Sequence, residues 1–253
     1  MHTVLFFRLI PLQLSTAINH NQSKTKTNFM RVNIFNQIHK GLRALLYESS
    51  LLLQQTDFSN DEEMQVAVDR ITMVANLFDD HAHHEDTFIL PAIQEYEPSI
   101  IDAFEQEHAT DARLTRAIKD CLQAVQMASA FVRPNMANEL SKTFIQFMVF
   151  NLEHMAKEEN ILNKILWRYY SDEEILVIQH EIVASLSPWS AKTGSLWMMR
   201  GLNNPEIVRW LRTVEDSAPE SVFQNLFATA ERELPEHRFR QVLEALTEGV
   251  MLA

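Results

Sequence analysis

Residues 64–92, MQVAVDRITMVANLFDDHAHHEDTFILPA, decide the fold. Taken in alternating steps of three and four, the stretch reads Met64, Ala67, Ile71, Val74, Phe78, His81, Glu85, Phe88, Ala92. That spacing is the buried stripe of an amphipathic α-helix. One imidazole and one carboxylate interrupt it, and both go into the core with their neighbours. Residues 140–165 repeat the arrangement as Leu140, Phe144, Phe147, Asn151, His154, Glu158, Leu162 and Ile165. A third stripe, through Phe35, Leu42 and Leu46, contains His39. A fourth, through Ile101, Phe104, Ile118 and Leu122, contains His108.

The rest of the chain agrees with an all-α architecture. Four glycines in 253 residues are too few for a turn-rich β fold. Four long helices are expected: about 33–55, from Ser59 to just past Pro91, from Pro98 to about Ala130, and from Asn135 to Tyr170. Ser59 and Glu62 have capping-box spacing at the second of these. The short connections predict antiparallel neighbours and an up-down four-helix bundle over residues 30–170. Residues 171–253 read as additional C-terminal helices. Ser171 and Glu174 form another capping box there, and Pro205, Pro219 and Pro235 stand at first-turn positions. Trp189, Trp197 and Trp210 read as packing anchors of this extension.

The six polar residues share one depth. His81 and Glu85 lie 17 and 13 residues before the turn at Pro98, and His108 lies 10 after it. His154 and Glu158 lie 20 and 24 beyond the turn at Pro134, with His108 26 before it; from Ser59, His39 is 20 back and His81 22 forward. At about 1.5 Å per residue, all six side chains meet within a couple of turns. Two His-x-x-x-Glu pairs alone would be a weak signal, since chance yields about one in such a sequence. The common level is the stronger observation. A buried bare carboxylate costs several kcal/mol, so two of them among four imidazoles imply a cation. Imidazole nitrogen with carboxylate oxygen suits Fe, Mn or Zn better than Ca or Mg.

These residues carry a family resemblance. Ile38-His39-Lys40, HAHHEDTFILP (81–91), Glu107-His108 and HMAKEENIL (154–162) resemble the hemerythrin family in its HHE cation-binding form. The resemblance implies a pair of irons ligated by His39, His81, Glu85, His108, His154 and Glu158, with the two glutamates bridging. It also implies a small ligand: dioxygen, nitric oxide or peroxide. Two departures bear on function. Oxygen-carrying members have a histidine four residues after the third-helix ligand, where this chain has Ala112, and an aspartate five residues after the fourth-helix histidine, where this chain has Glu158 at four. The set is more similar to bacterial members linked to iron-centre repair and nitric oxide handling, without their cysteine-rich N-terminal domain. The missing fifth histidine implies an open metal position. Around SDEEILVIQHEI (171–182) and WMMRGLNNPEIVRWL (197–211), the C-terminal third loosely resembles helices that follow such domains in larger eukaryotic regulators. Sensing through those helices, or iron storage, are the alternative roles.

Other classes find little support. A net charge of −12 argues against nucleic acid. Cys121 is the only cysteine, which excludes a disulfide within the chain or a thiolate cluster and fits a cytoplasmic setting. Residues 1–29 read as a disordered leader or an over-extended start. Arg8 and Pro11 break their apolar run, and no membrane span or membrane partner is expected. No nucleophile triad, phosphate loop or dinucleotide fingerprint is present, and whether the centre catalyses a reaction is open. His84 is a rim residue or a substitute ligand, while Asp111 and Asn151 are either orienting residues or, for Asp111, helix surface. The acid beside Glu158, Glu159, reads as surface.

Overall fold

A computed structural model describes residues 31–248. The expected leader, with His2 and His20, lies outside them. The described residues contain helices and no strand. α1 (Asn36–Gln55), α2 (Asp61–His84), α4 (Ile101–Met127) and α5 (Arg133–Asn160) are the long rods of the bundle. A π-helical turn, Glu85–Ile89, and the short α3 (Leu90–Gln94) extend α2, and α6 (Leu162–Tyr169) extends α5. No helix among the described residues is long and apolar enough to cross a membrane.

Local chemistry sets the ends of these rods. Asn60, not Ser59, caps α2: its Oδ1 accepts from the Glu62 and Glu63 amides at 2.9 and 3.2 Å. The Ser59 hydroxyl is occupied instead in donating to Asp57, 2.6 Å away. The expected stripe also slips at Glu85. Phe88 and Ala92 are only half-buried, while Ile89, Leu90 and Ile93 fill the core. The wide turn at Glu85–Ile89 accommodates an extra residue and rotates everything after it. Pro91 gives the physical reason: it lacks an N–H, and its ring crowds the carbonyl four residues back, which belongs to Thr87 within that turn. The single fourth helix expected from 135 to 170 is likewise broken at Ile161. There the Asn160 amide donates to the Ala156 carbonyl at 2.7 Å and competes with the helical ladder.

Two apolar clusters fill the bundle. One runs through Leu42, Leu46, Ile71, Phe78, Ile118, Phe144 and Phe147. The other runs through Phe35, Ile89, Ile93, Ile101, Phe104, Leu162 and Leu166. Along their helices, three polar residues of the stripes fall between a member of the first cluster and a member of the second: His39 between Leu42 and Phe35, Glu85 between Phe78 and Ile89, Glu158 between Met155 and Leu162. The polar level is therefore a layer sealed above and below by packed side chains.

Beyond the bundle come α7 (Asp172–Ser185), α8 (Pro188–Gly201), α9 (Asn204–Ser217), α10 (Glu220–Glu233) and α11 (Glu236–Glu248). The Ser171–Glu174 capping box forms as expected, and Pro205 is in the first turn of α9. Pro219 instead caps α10, and Pro235 precedes α11. Trp197 is buried, with Arg70 and Arg200 over its ring at 5.0 and 4.8 Å. Trp210 packs half-buried on the C-terminal cluster. Trp189 is the most exposed of the three, at 42%.

α8 lies directly on α1, and the crossing requires two glycines. A Cβ on Gly41 would stand 2.8 Å from the Met198 amide nitrogen, and one on Gly201 would collide with the Lys40 carbonyl. Both obstacles are backbone, so neither yields readily. Gly201→Ala is expected to cost about 1–3 kcal/mol through overpacking, read as a lower thermal midpoint by circular dichroism. A midpoint equal to that of the wild type would mean that the two helices part easily.

Candidate metal centre

The six sequence-derived residues converge. His39 comes from α1, His81 from α2, Glu85 from the π turn, His108 from α4, and His154 and Glu158 from α5. Five are buried, and the His81 side chain is 10% exposed, the most of the set. All four Nε2 atoms point at the carboxylates. Glu85 offers Oε1 to His39 (3.7 Å) and His81 (3.2 Å), and Oε2 to His108 (3.6 Å). Glu158 offers Oε2 to His39 (3.4 Å), and Oε1 to His108 (3.8 Å) and His154 (3.1 Å). Donor atoms from His39, His81, Glu85 and Glu158 lie within 4.8 Å of one another, as do those from Glu85, His108, His154 and Glu158. The carboxylates belong to both groups. Two donor sets that share two carboxylates are the arrangement needed to hold two cations side by side.

The polar atoms fit that occupant. His39, His81 and His108 Nε2, and all four oxygens of Glu85 and Glu158, are buried with no hydrogen-bond partner in the protein. Buried polar groups are normally paired, and unpaired charges cost far more than neutral groups. One such atom would be a defect; seven gathered in one layer are a set of donors that could hold metal ions.

The far side of the rings explains the orientation. His39 Nδ1 donates to Glu159 at 3.0 Å, His108 Nδ1 to Asp86 at 2.6 Å, and His154 Nδ1 to Glu107 at 2.8 Å. Each bond places the proton on Nδ1 and leaves the Nε2 lone pair facing the centre. Glu159 also accepts from Arg43 (2.7 Å), and Glu107 from Lys157 (2.6 Å). The sequence reading missed these three acids and treated Glu159 as surface. A signal was present: each motif glutamate is followed at once by a second acid, Asp86 or Glu159, and Glu107 precedes His108.

Asp111 is not helix surface. It is buried one turn from His108, accepts a 2.6 Å hydrogen bond from Asn151, and has its carboxyl raised by burial. His84 is outside both donor groups; it is stacked near Phe88 and pushed toward the neutral form by burial. His180 and His237 are exposed, as expected of residues outside the constellation.

Without metal, protons balance the carboxylates. Burial alone would lower His108 and His154, but the facing carboxylates, Glu158 first, with Glu85, Asp86 and Glu107, outweigh it and push them up to about 11 and about 9. Burial pushes His81 down to about 4. Between pH 6.5 and 8 the metal-free centre therefore carries protons on His108 and His154 that metal must displace. Apparent affinity for two metals is expected to fall about 100-fold in overall binding constant per pH unit of acidification across that window. Competition titrations at several pH values measure this; a flat profile would show that these imidazoles are already deprotonated.

A family model described as the hemerythrin HHE cation-binding domain matches residues 30–166. Among curated proteins, the chain is 23% identical over 152 residues to F-box/LRR-repeat protein 5 of Danio rerio, covering 60% of this chain and 22% of that protein. The Salmo salar protein of the same name is 20% identical over 172 residues (68% and 24%), and that of Mus musculus 21% over 153 (60% and 22%). The chain thus spans less than a quarter of the length of these relatives. No solved structure matches it.

Proposed function

Because this chain belongs to the hemerythrin HHE cation-binding domain family, we propose that it is a non-haem di-iron protein that binds, or reacts with, dioxygen, nitric oxide or peroxide. One observation carries the reading: each buried glutamate turns one oxygen toward the His39–His81 side and the other toward the His108–His154 side. The four imidazoles would hold the ions, and the glutamates would bridge them and offset their charge. Iron supplies one-electron chemistry that zinc lacks, and this nitrogen–oxygen donor set also suits manganese. Ala112 supplies no fifth imidazole, so a coordination position is left for an outside ligand. The His81 edge, the least covered, is where that ligand would arrive. Phe35, Phe104 and Phe150 pack against the imidazoles and limit water.

Protein purified from iron-replete cells is expected to carry close to two irons per chain. Its reduced form should change its visible spectrum on meeting nitric oxide or dioxygen. Less than one iron per chain would sink the reading.

A second reading, metal-responsive signalling through the C-terminal helices, is favoured by the contact between α8 and α1. Gly41 and Lys40 immediately follow the ligand His39, and Lys40 and Asn36 both reach Glu206 of α9, at 2.5 and 3.1 Å. Limited proteolysis decides it: cleavage within residues 186–248 that is the same with and without iron argues against coupling.

A further inference from the structure

Resting on the dinuclear reading, we infer that the two metal positions are unequal, and that the one on His108 and His154 fills first and holds its ion more tightly than the one on His39 and His81.

The two His-x-x-x-Glu segments repeat one device. The acid after Glu85, Asp86, reaches across to His108 of α4, and the acid after Glu158, Glu159, reaches across to His39 of α1. The residue before each of those histidines differs between the two halves. On α4 that residue is Glu107, and it accepts from His154. On α1 it is Ile38, an aliphatic side chain packed on the core. His81 Nδ1 accordingly makes no hydrogen bond among the described residues, while the other three imidazoles are tied.

A carboxylate on the far nitrogen fixes the ring and strengthens its lone pair; such outer partners are typically worth about 10–100-fold in metal affinity. The His108–His154 position has two of them and the His39–His81 position one. Charge points the same way. Glu159 is neutralised by Arg43, whereas of the two acids Asp86 and Glu107 only Glu107 has a Lys or Arg partner among the described residues, Lys157. The His108–His154 side therefore keeps one more negative charge. His81 is also the most exposed ligand, with 10% of its side chain reached by solvent, so its untied ring is the freest to leave.

The test is to titrate the metal-free full chain with Co(II), following visible absorption and heat. Two steps at least about 10-fold apart are expected. Repulsion between ions would also split two equal sites, so variants assign the steps. Glu107→Gln should weaken the first step about 10–100-fold, and Ile38→Glu should tighten the second. A single unresolved step, or a Glu107→Gln effect confined to the second step, would overturn the inference. Far-UV circular dichroism checks that each variant folds, and the wild-type titration needs no variant. Binding of one Co(II) only would instead refute the dinuclear reading. The order of positions would then stand if His154→Ala abolished that ion and His81→Ala kept it, and fall if the reverse held.

Discussion

Glu158→Gln is expected to release both metals, lowering affinity by well over 100-fold at each position. The magnitude follows from placement. Outer partners alone are worth about 10–100-fold, whereas Glu158 gives a direct donor oxygen to both groups and is fully buried. The amide keeps the shape but removes the charge and turns one donor atom into an N–H pair. Metal-free, the variant should melt within a few degrees of wild type or above it, since a buried carboxylate without its ion is a cost rather than a support. Metal content after gel filtration, read beside a melting curve, separates loss of ligand from loss of fold. Two ions retained per chain would mean that Glu158 is not shared between the positions.

Chelation of the loaded protein should produce the second large effect, a fall in thermal stability. An ion that binds only the folded chain at a free concentration a thousandfold above its Kd contributes about 4 kcal/mol. For a chain of this size that is roughly 8–16 °C for each position filled. The effect should be large because the layer at His39, His81, Glu85, His108 and Glu158 has seven unpartnered buried atoms when no ion is bound. The apolar clusters on either side give the metal-free bundle its residual stability, so it should still melt cooperatively. Calorimetry before and after chelator treatment measures the difference. A shift smaller than about 2 °C would show that protons on His108 and His154 satisfy the layer almost as well as metal does.

Sequence alone determined the helical class, the bundle and the depth shared by six polar side chains. Each depends on local periodicity and on loop lengths, and both are written along the chain. The apolar stripe of α2 could be followed to Glu85, and the His-x-x-x-Glu spacing placed both side chains on one face. It could not be followed further. The π turn depends on how the backbone accommodates Pro91 against a packed neighbour, and that moved Phe88 and Ala92 out of the core and Ile89 and Leu90 into it. Asn60 took the cap from Ser59 for a similar reason, because Asp57 competed for the hydroxyl.

What only the tertiary structure decided lies between elements. Asp86, Glu107 and Glu159 look like surface acids until the helices bring each against an imidazole 22, 47 and 120 residues away. Gly41 has no meaning on α1 until α8 crosses it. The difference between Ile38 and Glu107 likewise gains meaning only once the fold brings Glu107 to His154. Periodicity reports which face of a helix is buried; it carries no information about which side chain of another helix waits there.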